Sequence, residues 1–438
     1  MSAPTILIAA PASGSGKTIL SLGLISALRR QGLKVGSFKI GPDYIDPRFL
    51  EAASERPCLN ADSWAMRFST LAGVIESAGR DADIVIGEGV MGLFDGAPGG
   101  KGSTADIAAM FGIPVILLVD VQRMGASAAA LIEGFRRHRD DVAIDGIVLG
   151  QVASDTHDLV IRYACDDTFS TPVLGSMPRR QELALPSRHL GLVQALEHAE
   201  LALIIDAAAS LVEERLDLGR LRRLARHPNV TSLPTPAEPL PPLGRRIAIA
   251  RDAAFSFGYP LVIDGWRSAG AEIALFSPLA DEPPARDADA VYLPGGYPEL
   301  HAGRLAANAA FLDGLRQRAK AGATIYGECG GYMVLGQTLV DRDGVGHTMA
   351  GLLPVTTSFA EPKLHLGYRQ VKTLGATALG EPETAYAGHE FHYASELENK
   401  AAPIFDCQDA HGKAVGSHGA HLDHVFGSFI HLIDRTSP

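Results

Sequence analysis

The sequence predicts an α/β protein of two domains, and three observations support this prediction. Before residue 227, short apolar segments alternate with helical ones, as where TILIAA is followed by ILSLGLISALRRQG. Near-continuous apolar strands separated by helices are typical of a parallel sheet covered on both faces. The alternation resumes from residue 245 in RRIAIA, EIALFSP, AVYLPGG and TIYGECGG, and becomes mixed toward the C-terminus. A proline-rich segment lies between the two halves and predicts a linker.

That segment, HPNVTSLPTPAEPLPPLGRR, spans residues 227 to 246 and contains six prolines without periodicity. Proline removes backbone donors and favours extended conformations, which is typical of a semi-rigid linker. The chain has 438 residues, of which 46% are hydrophobic, and single cores stop growing at roughly 250 to 300 residues. We therefore expect a first domain over 1–227, a linker over 228–244 and a second domain over 245–438.

Composition excludes several classes of protein. The formal charge of −11 gives no basic surface for a nucleic acid. No run of about 18 apolar residues predicts a membrane span, and TILIAA leads directly into Gly and Lys, unlike a signal peptide. The four cysteines are scattered without a CxxC pair, so neither a disulfide framework nor a zinc site is expected. A reducing cytoplasm fits this pattern.

The first domain contains PASGSGKT between a predicted strand and a predicted helix, which is the setting of a phosphate loop. Pro11 stands where the pattern has its first glycine, so it alters the exit of the strand and not the phosphate cradle. The glycines let backbone N–H groups converge on phosphates, the lysine adds a charge and the threonine can ligate Mg²⁺. A helix start capped by small residues is the alternative. The nucleotide-binding residues that we predict are Gly14, Ser15, Gly16, Lys17 and Thr18.

Charged side chains follow the next two predicted strands, where ligands bind in open α/β sheets. Carboxylates there are suited to Mg²⁺, which prefers oxygen ligands. We predict that Asp43 and Glu88 act on the metal or phosphate. Helix capping or turn formation is the alternative. For Asp46 and Asp95, each of which adjoins Pro or Gly, this alternative is as well supported as a functional role. The segments FKIGPDYIDP and GEGVMGLFDG together offer Lys39, Asp43, Tyr44, Asp46, Glu88 and Asp95.

In the second domain, TIYGECGGYMVLGQ leads from a predicted strand through Cys329 into a helix. A nucleophile flanked by small residues on such a turn is exposed and close to a positive helix end, which lowers the pKa of a thiol. Upstream, VYLPGGYPE places Gly295 and Gly296 after another strand, where their N–H groups can stabilise an oxyanion. A simple turn at the end of a strand is the alternative.

A cysteine nucleophile needs a base, and the late apolar segment GSFIHLID offers His431. His389 and His392 in GHEFHY are the competing candidates. The remaining cysteines lack the strand-to-helix setting, and we expect them to be buried or incidental: Cys58, Cys165 and Cys407.

These motifs resemble known families. GECGGYM, LPGGYPE and the late strand histidine resemble the class I glutamine amidotransferase domain, in which Cys and His release ammonia from glutamine through a glutamyl thioester. PASGSGKT, FKIGPDYIDP, GEGVMGLFDG and GHEFHY occur in order across nearly the whole chain. This combination resembles the cobyrinic or hydrogenobyrinic acid a,c-diamide synthase family of cobalamin biosynthesis. The first half is also similar to dethiobiotin synthetase, a magnesium- and ATP-dependent enzyme that activates a carboxylate.

The resemblance implies that Cys329 is the nucleophile and His431 its base. Ordinary class I enzymes carry an orienting Glu two residues after this histidine, but Ile433 stands there in this sequence, and Asp434 is one step further. The cobyrinic acid branch shares this departure, which implies a Cys-His dyad and leaves open what orients the imidazole. The phosphate loop has Ala12 where some relatives have a second lysine.

The resemblance also implies the reaction, in which the a and c acetates of the corrinoid are phosphorylated by ATP and then amidated by ammonia from glutamine. The expected partners are ATP, Mg²⁺, glutamine and the corrinoid, with neither nucleic acid nor membrane, and a homodimer is considered. Whether the corrin must carry cobalt and which carboxylate is amidated first stay open. Thr18, Asp43 and Glu88 are the implied metal ligands, Lys39 joins the nucleotide site, and the side chains implied nearest the substrates include Asp43, Tyr44 and Asp95.

Three alternatives remain at this stage. The chain could amidate another tetrapyrrole such as nickel sirohydrochlorin. It could be a cobyric acid synthase, which FKIGPDYIDP disfavours because this segment matches the a,c-diamide branch. It could also be a nonenzymatic phosphate-loop regulator or tetrapyrrole carrier, against which the intact Lys17 and Cys329 argue.

Overall fold

A computed structural model describes residues 2–180, 183, 187–188, 191–192, 200–230 and 238–436. The chain forms two compact units, the first comprising Met1–Trp64 and Leu71–Pro236 and the second Ala65–Thr70 and Ala237–Pro438. The division falls inside the predicted linker 228–244, of which residues 231–237 lie outside the described part of the chain. The predicted first domain, 1–227, therefore differs from the observed unit, because the short segment after Trp64 belongs to the second unit.

The first unit is built on a seven-stranded parallel sheet with the order β3-β2-β4-β1-β5-β6-β7. This arrangement confirms the α/β fold with a parallel sheet. The strand β3 was not predicted, since four residues that include Asn60 give too short an apolar pattern. A two-residue antiparallel pair, β8 and β9, follows this sheet in the chain. The strands are β1 (Thr5–Ala9), β2 (Val35–Ile40), β3 (Cys58–Ala61), β4 (Ile84–Glu88), β5 (Val115–Asp120), β6 (Ile144–Val152), β7 (Val173–Pro178), β8 (Ser187–Arg188) and β9 (Gly191–Leu192).

Helices connect these strands, and their ends follow local chemistry. The first helix begins after Gly16, whose left-handed φ of 91° is readily adopted by glycine. The fourth helix begins with a capping box between Ser103 and Asp106. The helices of this unit are α1 (Lys17–Arg30), α2 (Asp46–Ser54), α3 (Phe68–Gly79), α4 (Thr104–Phe111), α5 (Ser127–His138), α6 (Asp155–Thr168), α7 (Leu201–Arg215) and α8 (Leu218–Leu224). The first three residues of α3 belong to the segment assigned to the second unit.

The second unit has a six-stranded sheet with the order β11-β10-β12-β13-β23-β22, parallel except for its last pair. Its strands are β10 (Arg246–Ala250), β11 (Glu272–Phe276), β12 (Ala290–Leu293), β13 (Thr324–Glu328), β22 (Ala420–Leu422) and β23 (Val425–Ser428). The helices are α9 (Pro260–Ser268), α10 (Ala302–Ala307), α11 (Ala309–Lys320) and α12 (Gly330–Leu335).

Two further sheets account for the mixed pattern near the C-terminus. One has the order β15-β14-β16-β19, and the other has the order β21-β20-β17-β18-β24 with all pairs antiparallel. The pairing of β18 with β24 places His389 opposite His431. The strands are β14 (Thr338–Val340), β15 (Gly346–Thr348), β16 (Val355–Ser358), β17 (His365–Thr373), β18 (Ala385–His392), β19 (Ser395–Asn399), β20 (Phe405–Gln408), β21 (Ala414–His418) and β24 (Ile430–Arg435).

All four cysteines are free and buried. Among the described residues, no helix combines the length and the apolar character that crossing a membrane requires.

Candidate active sites

The phosphate loop joins β1 to α1, as the sequence predicts. Gly14 and Gly16 have φ values of 75° and 91°, which side chains with a Cβ rarely adopt. The ammonium of Lys17 donates hydrogen bonds to the carbonyl oxygens of Ala12 (3.2 Å) and Met91 (2.6 Å). Lys17 therefore folds back over the loop, where its charge is close to the space that phosphates occupy in such loops.

Burial lowers the pKa of Lys17 to about 8, and the nearby positive charge of Lys39 acts in the same direction. The carboxylates of the site oppose this shift without cancelling it. The charged form of such a lysine is only weakly favoured, and a bound anion would stabilise that charged form.

Glu88 ends β4, and its carboxylate contacts Thr18 in the first turn of α1. It is fully buried (0% exposed), and its Oε1 accepts hydrogen bonds from the Thr18 hydroxyl (2.9 Å) and from Lys39 Nζ (2.7 Å). Within the described part of the chain, its Oε2 has no hydrogen-bond partner. A buried carboxylate oxygen without a partner, next to a threonine hydroxyl, is a donor set that fits Mg²⁺. No cluster of three or more His, Cys, Asp or Glu side chains able to hold a metal occurs among the described residues.

Lys39 is buried between two carboxylates and was predicted to bind nucleotide. Its Nζ lies 2.6 Å from Asp46 Oδ2 and 2.7 Å from Glu88 Oε1. Although burial lowers the pKa of Lys39, Asp46 and Glu88 raise it well above its ordinary value. Lys39 thus neutralises the acids of this site, and Asp46, which the sequence left undecided between capping and function, is its ion-pair partner.

The predicted substrate residues differ in their surroundings. Asp43 Oδ1 accepts the backbone N–H groups of Ile45 (2.8 Å) and Asp46 (3.0 Å), which is the turn formation weighed as its alternative. Burial and the neighbouring Asp46 raise the pKa of Asp43 to about 7. Tyr44 is buried. Asp95 is exposed and closes a turn by accepting Gly92 N–H (2.9 Å).

In the second unit, Cys329 stands on the turn between β13 and α12. Its φ of 48° and ψ of −106° are unusual for a residue with a side chain. Backbone strain of this kind is concentrated at functional sites. The flanking glycines are required by close approach, because a Cβ on Gly331 would lie 1.9 Å from the carbonyl oxygen of Leu293.

Gly295, Cys329 and His431 converge, although they are far apart in sequence. A Cβ built on Gly295 would lie 3.3 Å from Cys329 Cβ, 2.5 Å from His431 Cε1 and 3.3 Å from His431 Nε2. The Nε2 edge of the imidazole and the cysteine therefore border the same small space. This is the arrangement that a nucleophile and its base need.

The predicted lowering of the Cys329 thiol pKa is wrong for this structure. Burial, followed by the negative charge of Glu299, raises the pKa of Cys329 above its ordinary value. The side chain is only 4% exposed, and the cost of burying a thiolate exceeds the gain from the short helix α12. Proton transfer to a nearby base is therefore needed to form the thiolate.

Glu328 was missed as a site residue, because next to Cys329 it appeared only as part of the turn. Both of its oxygens are held: Oε1 accepts Tyr326 OH (2.7 Å) and Leu432 N–H (3.2 Å), and Oε2 accepts Tyr292 OH (2.7 Å). Oε2 also lies 3.7 Å from His431 Nδ1. No local signal predicts this contact, since it depends on the pairing of distant strands.

The competing histidines occupy different places. The rings of His389 and His431 stack with centroids 5.1 Å apart, and His389 Nε2 is 2.9 Å from Tyr259 OH. Burial and His431 lower the pKa of His389 well below its ordinary value. His392 instead stacks on Phe429 at 4.0 Å. His431 is thus the candidate imidazole whose Nε2 edge borders Gly295, and His389 supports its face.

Asp434 is engaged by the short segment that belongs to the second unit. Its carboxylate accepts hydrogen bonds from the backbone N–H of Arg67 (2.9 Å), the Arg67 guanidinium (2.7 Å) and the Thr70 hydroxyl (2.6 Å). It is fully buried. These bonds occupy both oxygens of the Asp434 carboxylate.

Comparison with known proteins identifies the class of both domains. Residues 6–193 match the CobQ/CobB/MinD/ParA nucleotide binding domain, and residues 246–437 match the CobB/CobQ-like glutamine amidotransferase domain. The two matched ranges contain the phosphate loop and the Cys329 turn, respectively. The predicted class of each domain is confirmed.

Full-length relatives extend this agreement to the whole chain. The hydrogenobyrinate a,c-diamide synthase of Brucella anthropi is 50% identical over 432 residues, covering 98% of both chains. Proteins of the same name from a Sinorhizobium species and from Rhodobacter capsulatus are 51% and 50% identical, again over 98% of both chains. The chain belongs to the hydrogenobyrinate a,c-diamide synthase family, as its motifs predicted.

Proposed function

We propose that this protein uses ATP and glutamine to amidate the a and c acetate carboxylates of hydrogenobyrinic acid in cobalamin biosynthesis. The observation that carries the proposal is the identity of about half of all residues, over 98% of both chains, to relatives named for this reaction. The nucleotide-binding and amidotransferase matches supply the two activities that such a reaction needs.

The first unit would activate the carboxylate. Ammonia does not displace oxide from a carboxylate, so the γ-phosphoryl group of ATP is first transferred to give an acyl phosphate and ADP. The loop N–H groups and Lys17 stabilise charge on the transferring phosphoryl group. Thr18 and Glu88 would hold Mg²⁺, which supplies charge neutralisation at the phosphates. Ammonia then attacks the acyl carbon and phosphate leaves.

Asp43, Tyr44 and Asp95 are proposed to lie nearest the corrinoid. Asp43 has a pKa of about 7, so near neutral pH it is a mixture of acid and carboxylate and can either donate or accept a hydrogen bond. It is a weaker candidate metal ligand than Glu88, because its Oδ1 already accepts two backbone N–H groups.

The second unit would release ammonia from glutamine. Cys329 attacks the side-chain amide carbon, the thiol proton passes to His431 and then to the leaving nitrogen, and a glutamyl thioester forms. Water hydrolyses the thioester to glutamate and regenerates the thiol. The N–H groups of Gly295 and Gly296 are proposed to stabilise the oxyanion.

Two further proposals concern the cellular compartment and the oligomeric state. The free, buried state of the four cysteines is compatible with a reducing cytoplasm. A homodimer is proposed as the assembly, and sedimentation equilibrium of the purified protein tests it.

The substrate is tested by incubating the protein with ATP, Mg²⁺, glutamine and one tetrapyrrole, followed by mass spectrometry. Hydrogenobyrinic acid should gain two amides. Cobyrinic acid in parallel decides whether cobalt is tolerated, and time points show the order of amidation. Amides on nickel sirohydrochlorin alone would favour the rival substrate, and the absence of any product would favour a noncatalytic role.

The nitrogen route is tested with Cys329→Ala. Glutamine-dependent amidation should disappear while ammonium salts still support synthesis. Cys407→Ala is the matched control, because Cys407 is also a buried thiol of this unit but lies in β20. Loss of both routes in Cys329→Ala would contradict separate sites for ammonia release and ammonia use.

A further inference from the structure

His431 needs a group that orients its imidazole, and the sequence does not supply one at the usual position. Ile433 is apolar, and Asp434 is committed to Arg67 and Thr70. A base of this kind works best when one ring nitrogen faces the nucleophile and the other faces a fixed acceptor. The acceptor should therefore be sought among residues distant from His431 in sequence.

Glu328 satisfies this requirement by its position. It is 2% exposed, and its Oε2 lies 3.7 Å from His431 Nδ1, whereas the Nε2 edge of the same ring borders Gly295 and Cys329. The two ring nitrogens thus face different partners.

The carboxylate is itself held in place from three strands. Tyr292 in β12, Tyr326 in β13 and Leu432 N–H in β24 donate to its two oxygens. Burial and the charge of Glu328 raise the pKa of both tyrosines well above the ordinary value, so both remain donors. A buried carboxylate with three fixed donors has little freedom to rotate.

We propose that Glu328 is the positioning residue of the amidotransferase site and replaces the acid that ordinary class I enzymes carry after the histidine. When Cys329 gives its proton to Nε2, the imidazolium places positive charge on Nδ1–H, facing Glu328. The carboxylate then stabilises the ion pair and maintains the orientation of the ring. This inference rests on the proposed roles of Cys329 and His431.

The stacked His389 does not act as a charged acceptor for the imidazole of His431. Its pKa is lowered by burial and by His431, so it stays neutral and adds no negative charge. Its ring lies nearly parallel to that of His431, with an interplanar angle of 15°.

The test compares glutamine hydrolysis and ammonia-dependent amidation in Glu328→Gln and Glu328→Asp. Gln keeps the shape but removes the charge, so kcat for glutamine hydrolysis should fall about 10- to 100-fold. KM for glutamine and ammonia-dependent amidation should stay within about twofold, because the proposed role of Glu328 is confined to orienting His431. The Glu328→Asp variant restores the negative charge on a shorter side chain, so it should recover part of kcat for glutamine hydrolysis.

Glu396→Gln is the matched control. Glu396 also accepts a hydrogen bond from a tyrosine of this unit, Tyr332 (2.5 Å), but it is exposed. Its replacement should leave kcat for hydrolysis unchanged.

The proposal is overturned by a wild-type kcat in Glu328→Gln, by an equal fall in ammonia-dependent amidation, or by an equal fall in Glu396→Gln. If Glu328→Gln does not fold, Glu328→Asp decides: an unchanged kcat for hydrolysis overturns the proposal, and a reduced kcat with normal ammonia-dependent amidation supports it. Glutamine hydrolysis by Cys329→Ala would instead refute the proposed nucleophile, whereas an inactive Cys329→Ala beside a fully active Glu328→Gln refutes only the role of Glu328.

Discussion

The two candidate sites each contain a buried glutamate at the last residue of a parallel strand. Glu88 ends β4 and Glu328 ends β13, and they are 0% and 2% exposed. Glu88 is paired with the ammonium of Lys39 and leaves Oε2 without a partner in the described part of the chain. Among the described residues, the donors to the oxygens of Glu328 are all neutral, and Nδ1 of His431 lies 3.7 Å from Oε2.

The difference shows that the neighbours of a strand-end carboxylate decide its chemistry. A lysine partner and an unused oxygen are suited to balancing the charge of phosphates and a metal. Neutral donors instead preserve the full negative charge for a group that becomes positive during the reaction. If the proposed roles hold, the same position in the fold supports phosphoryl transfer in one unit and proton transfer in the other.

The largest expected effect comes from a substitution in the phosphate loop, which should distinguish the ATP site from the glutamine site. Lys17→Ala removes the charge that stabilises the transferring phosphoryl group, so amidation should fall about 100-fold or more with either glutamine or ammonium as nitrogen source. Glutamine hydrolysis should remain at least in part, because it does not use ATP. Both activities are measured on one preparation, and unchanged synthesis would mean that this loop is not the ATP site.

The next effect concerns the space between Gly295, Cys329 and His431. In Gly295→Ala the new methyl group would lie 2.5 Å from His431 Cε1, so the base must move and glutamine hydrolysis should fall about 100-fold. Ammonia-dependent amidation should persist. Gly303→Ala is the control, since its Cβ would meet only His347, at 3.5 Å. Equal hydrolysis rates in the two variants would contradict the proposed convergence.

A smaller effect on the Mg²⁺ requirement tests whether Glu88 binds the metal, with Glu328 as the comparison. Glu88→Gln should raise the Mg²⁺ concentration needed for half-maximal ammonia-dependent amidation about tenfold, because it removes an anionic oxygen next to Thr18. Glu328→Gln should leave this titration unchanged. If the titration of Glu88→Gln matches the wild type, Glu88 acts on the substrate or only on Lys39.

The smallest effect is a pH dependence that belongs to the first site alone. Lys17 has a pKa lowered to about 8, so its positive charge is present below that pH and is lost as pH rises through it. The kcat/KM for ATP should therefore fall, by at most about tenfold per pH unit. Lys17→Arg stays charged and, although less active overall, should show a flatter profile above pH 8. Parallel slopes would exclude Lys17 as the titrating group.

Much of both sites was predictable because local motifs position their residues. The phosphate loop lies between β1 and α1, and Thr18 contacts Glu88, since parallel strands end at one edge of a sheet. The turn that carries Cys329 was predictable from a local pattern of strand, small residues and helix, although the close approach that Gly331 permits is to Leu293 of β12.

The remainder depends on long-range pairing, which one sequence does not reveal. Glu328 meets His431 through the register of β24, and Asp46 meets Lys39 because the turn after β2 brings it back. The thiol pKa of Cys329 was predicted in the wrong direction because burial, a tertiary property, exceeds the effect of the short helix.

The short segment Ala65–Thr70 has a practical consequence for dissecting the protein. A gene fragment starting at Ala237 would encode nearly all of the amidotransferase half but would omit Arg67 and Thr70. Asp434 would then lose the guanidinium and the hydroxyl that donate hydrogen bonds to its carboxylate. Glutaminase studies on an isolated C-terminal fragment would therefore begin with a destabilised protein, and full-length variants are the sounder material for kinetics.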